Sequence, residues 1–274
     1  MRPNSVCAVM AISIQSRFVF TADRPTDVLL QFEAADLPEQ GLLHNRTDLT
    51  PSDHFARIPA QEDIGERIWT RVDGRFEVAH EARVEIRRQV ADLAALEQMP
   101  PHRMPAAPVQ YLFDSAFCPA DRFQSFVEDR FAGTSGGERI AAIHDWVARK
   151  FTYAPGSSDA HTTALDSFVE RRGICRDFAH MVVTLARASA IPARYVAAYG
   201  PDVSPQDFHA VAEVFLDDPA SEDGGTWQLV DATGMASPDE IVKIGVGRDA
   251  ADVSFLTSFG LVELCEKHVS VVRN

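Results

Sequence analysis

Gly173-Ile174-Cys175-Arg176-Asp177-Phe178-Ala179-His180 runs on through Met181, Val182 and Leu185 to Ala190-Ile191-Pro192-Ala193-Arg194-Tyr195-Val196. After Cys175 the apolar residues Phe178, Met181, Val182 and Leu185 recur at helical spacing, so a helix is predicted from Cys175 to about Ala190. Ile191-Pro192 stops it, because proline lacks an N–H and clashes with the preceding turn. Ala193 to Gly200 then reads as a strand. Cys175 is thus expected in the first helical turn. There the positive end of the helix dipole and the free amides favour a thiolate, the reactive form of the side chain. The same amides can hold an oxyanion formed when the sulfur attacks a carbonyl.

A nucleophilic cysteine needs a base within reach and a third group to hold that base. His209 opens a predicted strand, His209 to Leu216, and Asp231 closes the next, Thr226 to Val230. In an antiparallel pair the start of one strand faces the end of the next. The hairpin therefore brings His209 and Asp231 to one end of the sheet, as base and orienting acid. Competing readings exist. A cysteine that starts a helix also packs well as a small hydrophobe. Zinc accepts the residue types of Cys175, His180, His209 and Asp231, but their spacing matches no common zinc motif, and no metal or other cofactor is expected. Asp177 reads as a first-turn acid, with Arg176 offsetting its charge. His180, His144 and Trp146 read as packing residues, and His161 lies in a Ser/Thr/Asp-rich loop near the cleft.

Upstream, helices are expected over Asp121 to Phe131, Arg139 to Phe151 and Thr163 to Arg171. Helices followed by strands describe an α+β domain. Before them, Gln98 to Pro108 holds four prolines and reads as a linker, with the domain boundary at about residue 105. The first 105 residues read as β-rich. Ile12, Ile14, Phe18 and Phe20 alternate as a half-buried strand requires, and Val28 to Glu33 makes a second strand after the turn signal Asp23-Arg24-Pro25. Glu66 to Val72 and Arg75 to Ala79 flank Asp73-Gly74, a frequent hairpin pair, and Ala82 to Val90 alternates again. Such short strands point to a sandwich-like module. The run Val6 to Ile14 weakly resembles a signal peptide, but it reads better as the ragged start of the first strand, with Met10 an alternative initiator.

The 274 residues are 46% hydrophobic and 24% charged, which excludes wholesale disorder. The net charge of −14, with only short basic pairs such as Arg87-Arg88 and Arg171-Arg172, argues against nucleic acid as the main partner. There is no apolar run long enough to span a membrane, so no membrane partner is expected. Cys7, Cys118, Cys175 and Cys265 lie far apart, which fits a reducing compartment, the cytoplasm.

The nucleophile segment Gly173 to His180 resembles that of bacterial transglutaminase-like proteins. The resemblance continues through Ile191-Pro192-Ala193-Arg194-Tyr195, Phe208-His209-Ala210, Glu213 to Leu216, Trp227 and Asp231-Ala232-Thr233, with Phe151-Thr152-Tyr153 and Thr163 to Asp166 as the lead-in. It is strong from about 140 to 235. It implies a papain-like core over 106–274 behind an N-terminal β domain over 1–105, and a Cys-His-Asp triad at Cys175, His209 and Asp231. Two departures stand out: Val211 replaces the family's usual Trp, and Ala232 a frequent Pro. The implied function is acyl transfer, most simply hydrolysis of a peptide, isopeptide or side-chain amide bond in a peptide or protein substrate. A transglutaminase with an amine acceptor and a non-catalytic binding protein are the alternatives.

Overall fold

A computed structural model describes residues 11–219, 221 and 224–274. Cys7 and most of the Val6 to Ile14 run lie outside these residues. The elements, in chain order, begin with β1 (Ala11–Leu30), β2 (Gln40–Leu49), β3 (Phe55–Pro59) and β4 (Glu66–Ile86). Next come α1 (Ala106–Val109), α2 (Gln124–Arg130), α3 (Gly136–Lys150), β5 (Thr152–Tyr153), α4 (Ala164–Glu170), β6 (Arg172–Gly173) and α5 (Cys175–Ala188). β7 (Ala193–Tyr199), β8 (His209–Asp217), β9 (Gly225–Val230), β10 (Val242–Gly247), β11 (Leu256–Ser258) and β12 (Val262–Arg273) complete the α+β fold.

The first sheet is built on two long antiparallel strands, β1 and β4, paired from Ala11↔Glu85 to Leu30↔Ile68. Neither turn signal reverses the chain. The register shifts between Ala22 and Thr26, and Gly74, at φ 76°, pairs with Ala22. Asp23-Arg24-Pro25 and Asp73-Gly74 therefore form one crease across both strands, where a bulge and a left-handed glycine allow a bend. Residues on either side of the crease share a core: Phe18 and Phe20 with Val28, Leu30, Ile68 and Phe76. The even-numbered face foreseen at Ile12, Ile14, Phe18 and Phe20 is buried, continues to Ala22, and resumes from Thr26 to Leu30 beyond the crease.

β2 and β3 extend this sheet along β4, while β11 and β12 pair with β1. The register Ile12↔Arg273 to Ala22↔Val262 returns the distal chain to the first sheet. Val262–Arg273, far along the chain, thus pairs with β1 of the first sheet. Upstream of residue 105, Leu93 and Leu96 pack against the second core, and Gly137 N–H donates to Leu96 O at 2.9 Å. The proline-rich segment is docked rather than free: Met99 is buried and Gln98 Nε2 donates to Ser189 O.

The second sheet runs β10-β7-β8-β9, antiparallel throughout. α5 lies against it, with Asp177 through Arg187 all buried. Its Phe178, Met181 and Val182 meet Ile140, Ile143 and Val147 of α3 on one side and Ala212, Val214 and Leu216 of β8 on the other. Arg187 tolerates this burial because its guanidinium donates to Ala193 O, Phe113 O, Ser115 Oγ and Arg248 O. The two sheets share a further core, in which Ile12, Ile14, Val269 and Val271 pack with Tyr199, Val242 and Ile244. Beside it lies a buried ion network. Arg194 bonds Glu213 and Glu62, each at 2.6 Å, and Lys243 bonds Glu213 and, at 2.7 Å, Glu39. The opposing charges hold the Glu213 carboxyl down at about 2 against the cost of its burial.

Candidate active site

Cys175 stands at the first position of α5 and is partly exposed. Its helix start is fixed from below. Asp177 Oδ2 accepts from the N–H of Ile174 at 2.7 Å, closing the terminus from the third helical position. Ser158 Oγ donates to the same oxygen at 2.6 Å, tying in the loop after β5, and Arg176 donates to Asp159 O. Asp177 Oδ1 is buried without a hydrogen-bond partner and lies 3.9 Å from Arg176 Nε. Gly173 is required here: a Cβ on it would meet Asp177 Cβ at 2.4 Å and Oδ2 at 2.7 Å. Asp177 is therefore a buried cap, a stronger constraint than a favourable first-turn charge.

His209 opens β8 and Asp231 directly follows β9, as the strand pairing required. His209 Nε2 and Asp231 Oδ2 are 2.9 Å apart, and both residues are buried. The other Asp231 donors come from its own turn: Thr233 N–H and Oγ1 to Oδ1, at 2.9 and 2.6 Å, and Ala236 N–H to Oδ2 at 2.9 Å. Burial pushes the Asp231 carboxyl up, but the bonds from His209 and Thr233 hold it below the usual carboxylate range. For His209 burial favours the neutral ring, yet Asp231 and the Cys175 sulfur together raise its pKa to about 9. Nδ1, the nitrogen left over from the Asp231 bond, is buried and makes no fully formed hydrogen bond. Catalytic bonds of this kind are often loose before substrate arrives.

The other residues singled out in the sequence separate from this cluster. His180 is fully buried, its ring stacked on Phe117 at 5.3 Å, and its Nε2 accepts from Ala250 N–H at 3.1 Å. Burial holds its pKa down at about 3, so it is a neutral packing residue. His161 is exposed, its N–H donating to Asp159 Oδ1. Trp146 is buried and stacks over the Arg171 guanidinium at 4.6 Å. Val211 does not line the cleft. It is 1% exposed and packs with Val196, Leu229 and Ala236, so a tryptophan there would need a different core. Two residues lie nearer the site than the sequence indicated: Tyr153, quoted only within the lead-in, and His144, read as packing. Tyr153 pairs with Gly173 across β5 and β6, two residues before Cys175, and burial, with Cys175 nearby, pushes its hydroxyl up to about 12. His144 Nε2 lies 3.2 Å from Asp231 O. The first follows from pairing across a two-residue parallel bridge, which no local pattern signals; the second follows from how α3 docks.

Residues 126–232 match the transglutaminase-like superfamily. The solved structure of a proposed cysteine protease from Cytophaga hutchinsonii superposes with a TM-score of 0.88 at 28% identity, over 97% of this chain and 91% of that one. An uncharacterized protein of Mycobacterium leprae, ML0607, is 30% identical over 137 residues, 43% of this chain and 46% of its own length. Rv2569c of Mycobacterium tuberculosis, also uncharacterized, is 32% identical over 127 residues, 42% of this chain and 40% of its own. The matches span less than half of these curated relatives. Residues 126–232 thus carry a transglutaminase-like core, and the fold supports a general cysteine-protease-like function.

Proposed function

We propose that this protein is a cysteine-dependent acyl-transfer enzyme that hydrolyses a peptide, isopeptide or side-chain amide bond of a peptide or protein. The observation that carries this reading is the buried His209–Asp231 pair, bonded through Nε2 at 2.9 Å, which leaves Nδ1 for the sulfur at the start of α5. Cys175 Sγ attacks the carbonyl carbon as a thiolate, and the oxyanion that forms faces the first amides of α5. His209 Nδ1–H gives its proton to the leaving amine, the C–N bond breaks, and a thioester remains. Water then attacks with His209 as base, the C–S bond breaks, and the acid is released. Asp231 fixes the ring so that Nδ1, not Nε2, handles the proton. Water is the proposed acceptor because Cys175 is partly exposed, so solvent reaches the sulfur. A reducing compartment, the cytoplasm, is proposed for a site that depends on an unpaired thiol; Cys118, Cys175 and Cys265 are all free.

The test is alkylation by iodoacetamide across pH, read by mass spectrometry at each cysteine. Cys175 is expected to label fast below pH 7, and that advantage is expected to vanish in His209→Ala. Buried Cys118, whose thiol is pushed up to about 12, and exposed Cys265 are internal references. Equal labelling of Cys175 and Cys265 in the wild type would remove the nucleophile assignment.

A further inference from the structure

We propose that His144 is a positioning residue for the triad, holding the main chain of Asp231 so that its carboxylate keeps His209 in register with Cys175. The proposal rests on the reading of Cys175, His209 and Asp231 given above. The Asp231 side chain takes its donors from His209 and from its own turn, Thr233 and Ala236. Its neighbours Val230 and Ala232 pack in the core shared with α3 and α5, which leaves the direction of the Asp231 carbonyl between them to be fixed by a hydrogen bond. Cys175 is carried by α5, which is buried against α3. His144 of α3 reaches across, with Nε2 3.2 Å from Asp231 O. The carbonyl accepts, so Nε2 carries the hydrogen. Nδ1 lies 3.2 Å from Asp145 Oδ1, an oxygen that only accepts, so it holds the ring from the other side when Nδ1 carries a hydrogen as well. One helical layer therefore carries the nucleophile, through α5, and a tether to the acid, through α3.

Packing does not account for this histidine. Its side chain is 37% exposed. It lines a cavity of about 230 Å³ together with Val90, Leu93, Gln228, Asp231 and Pro238, so one side of the ring is open. An apolar residue would fill the same space but could not donate to the carbonyl.

The test compares His144→Gln, →Asn and →Leu. A glutamine amide reaches the place of Nε2 and keeps a donor there; asparagine is too short, and leucine has no donor. Each variant is read by His209-dependent alkylation of Cys175 below pH 7 and by thermal midpoint. The Asn and Leu variants are expected to lose about fivefold of the labelling advantage, the scale of one hydrogen bond, while Gln retains it. Labelling at wild-type rate in the Leu variant would overturn the proposal, as would equal losses in Gln and Leu. A loss that merely tracks the fall in midpoint would assign His144 to stability and also overturn it. If wild-type Cys175 shows no His209-dependent labelling, the triad reading fails and this proposal falls with it. If the wild type shows it and all three variants do too, only the role of His144 is lost.

Discussion

Phe208 and Phe255 stack with ring centroids 4.9 Å apart and planes 19° from parallel. Phe208 immediately precedes His209, and Phe255 precedes β11 of the first sheet. Phe208 also meets Phe18 at 6.4 Å and Tyr199 at 5.4 Å, so the approach to His209 is anchored between the two sheets. Asp207, one residue earlier, pairs with Lys267 of β12 at 2.6 Å. The first sheet is thereby part of the support of the site. Phe208→Ala is expected to lower stability by about 3 kcal/mol, the low end for truncating a packed aromatic because the residue is half-buried, and to weaken His209-dependent labelling of Cys175. Chemical denaturation and alkylation check the two effects; labelling at full strength would separate the first sheet from the site.

Cys175→Ala is expected to abolish turnover and leave the fold intact, because Cys175 is partly exposed and only flanks a small core cluster. Circular dichroism and a hydrolysis assay on the same sample test this. Turnover at the wild-type rate would refute the mechanism. Incorporation of a fluorescent amine into a glutamine-rich protein, in place of hydrolysis, would make the enzyme a transferase.

Asp231→Asn is expected to slow turnover by a factor on the order of a hundred or more, since the ring is then free to take the wrong tautomer. The pKa of His209, about 9 in the wild type, should fall in the same variant because the bond to Asp231 helps to raise it. Proton NMR of the imidazole and steady-state rates give the two readouts. An unchanged rate would take Asp231 out of the mechanism.

The pH dependence follows from the same group. Turnover needs a proton on His209 for the leaving amine, so it should fall above about pH 9. Alkylation needs no such proton and should not fall there. The raised pKa also favours the folded state. That contribution is full below the ordinary histidine value of 6.5 and is lost as pH rises through about 9. His180 and His80 act in the opposite sense. Burial holds them at about 3 and about 4, so they stay neutral while the unfolded chain takes up protons below 6.5. Stability should therefore decline as pH drops from 6.5 toward 4. His180→Gln should flatten that decline, measured as thermal midpoint against pH.

Gly173→Ala is expected to destabilise by about 1–3 kcal/mol, because the added methyl meets the Asp177 side chain at 2.4 to 2.7 Å. The damage should reach function through the helix start. Denaturant midpoints and Cys175 labelling, measured together, test it, and an unchanged midpoint would show that Asp177 can move aside.

The helical half was legible because its signals are local. The spacing of Phe178, Met181, Val182 and Leu185 and the stop at Pro192 place α5 within two residues. Thr163 and Asp166 likewise form the capping box that opens α4. His209 and Asp231 were placed at one sheet end by strand logic, and the 2.9 Å bond between them follows it. The first sheet was harder to read. Asp73-Gly74 carries the composition of a hairpin, but long-range pairing with β1 uses it as a crease. β10, β11 and β12 find their partners far away in the chain, and no window of sequence contains both members of such a pair. The function of His144 depends on a contact across 87 positions, which a single sequence does not announce.

The return of β12 to β1 has a consequence for biosynthesis. Ile12 pairs with Arg273, so one flank of the first sheet stays open while the ribosome delivers everything between them. Until Val262–Arg273 emerges, β1 presents an unpaired edge along half its length, a template for pairing with other chains. Lys267 arrives on that same strand, so the prop beneath Asp207 is missing for as long. The nascent protein thus holds Cys175 and His209 well before the support of its site is complete. Competence arrives only with the strand that also closes the sheet.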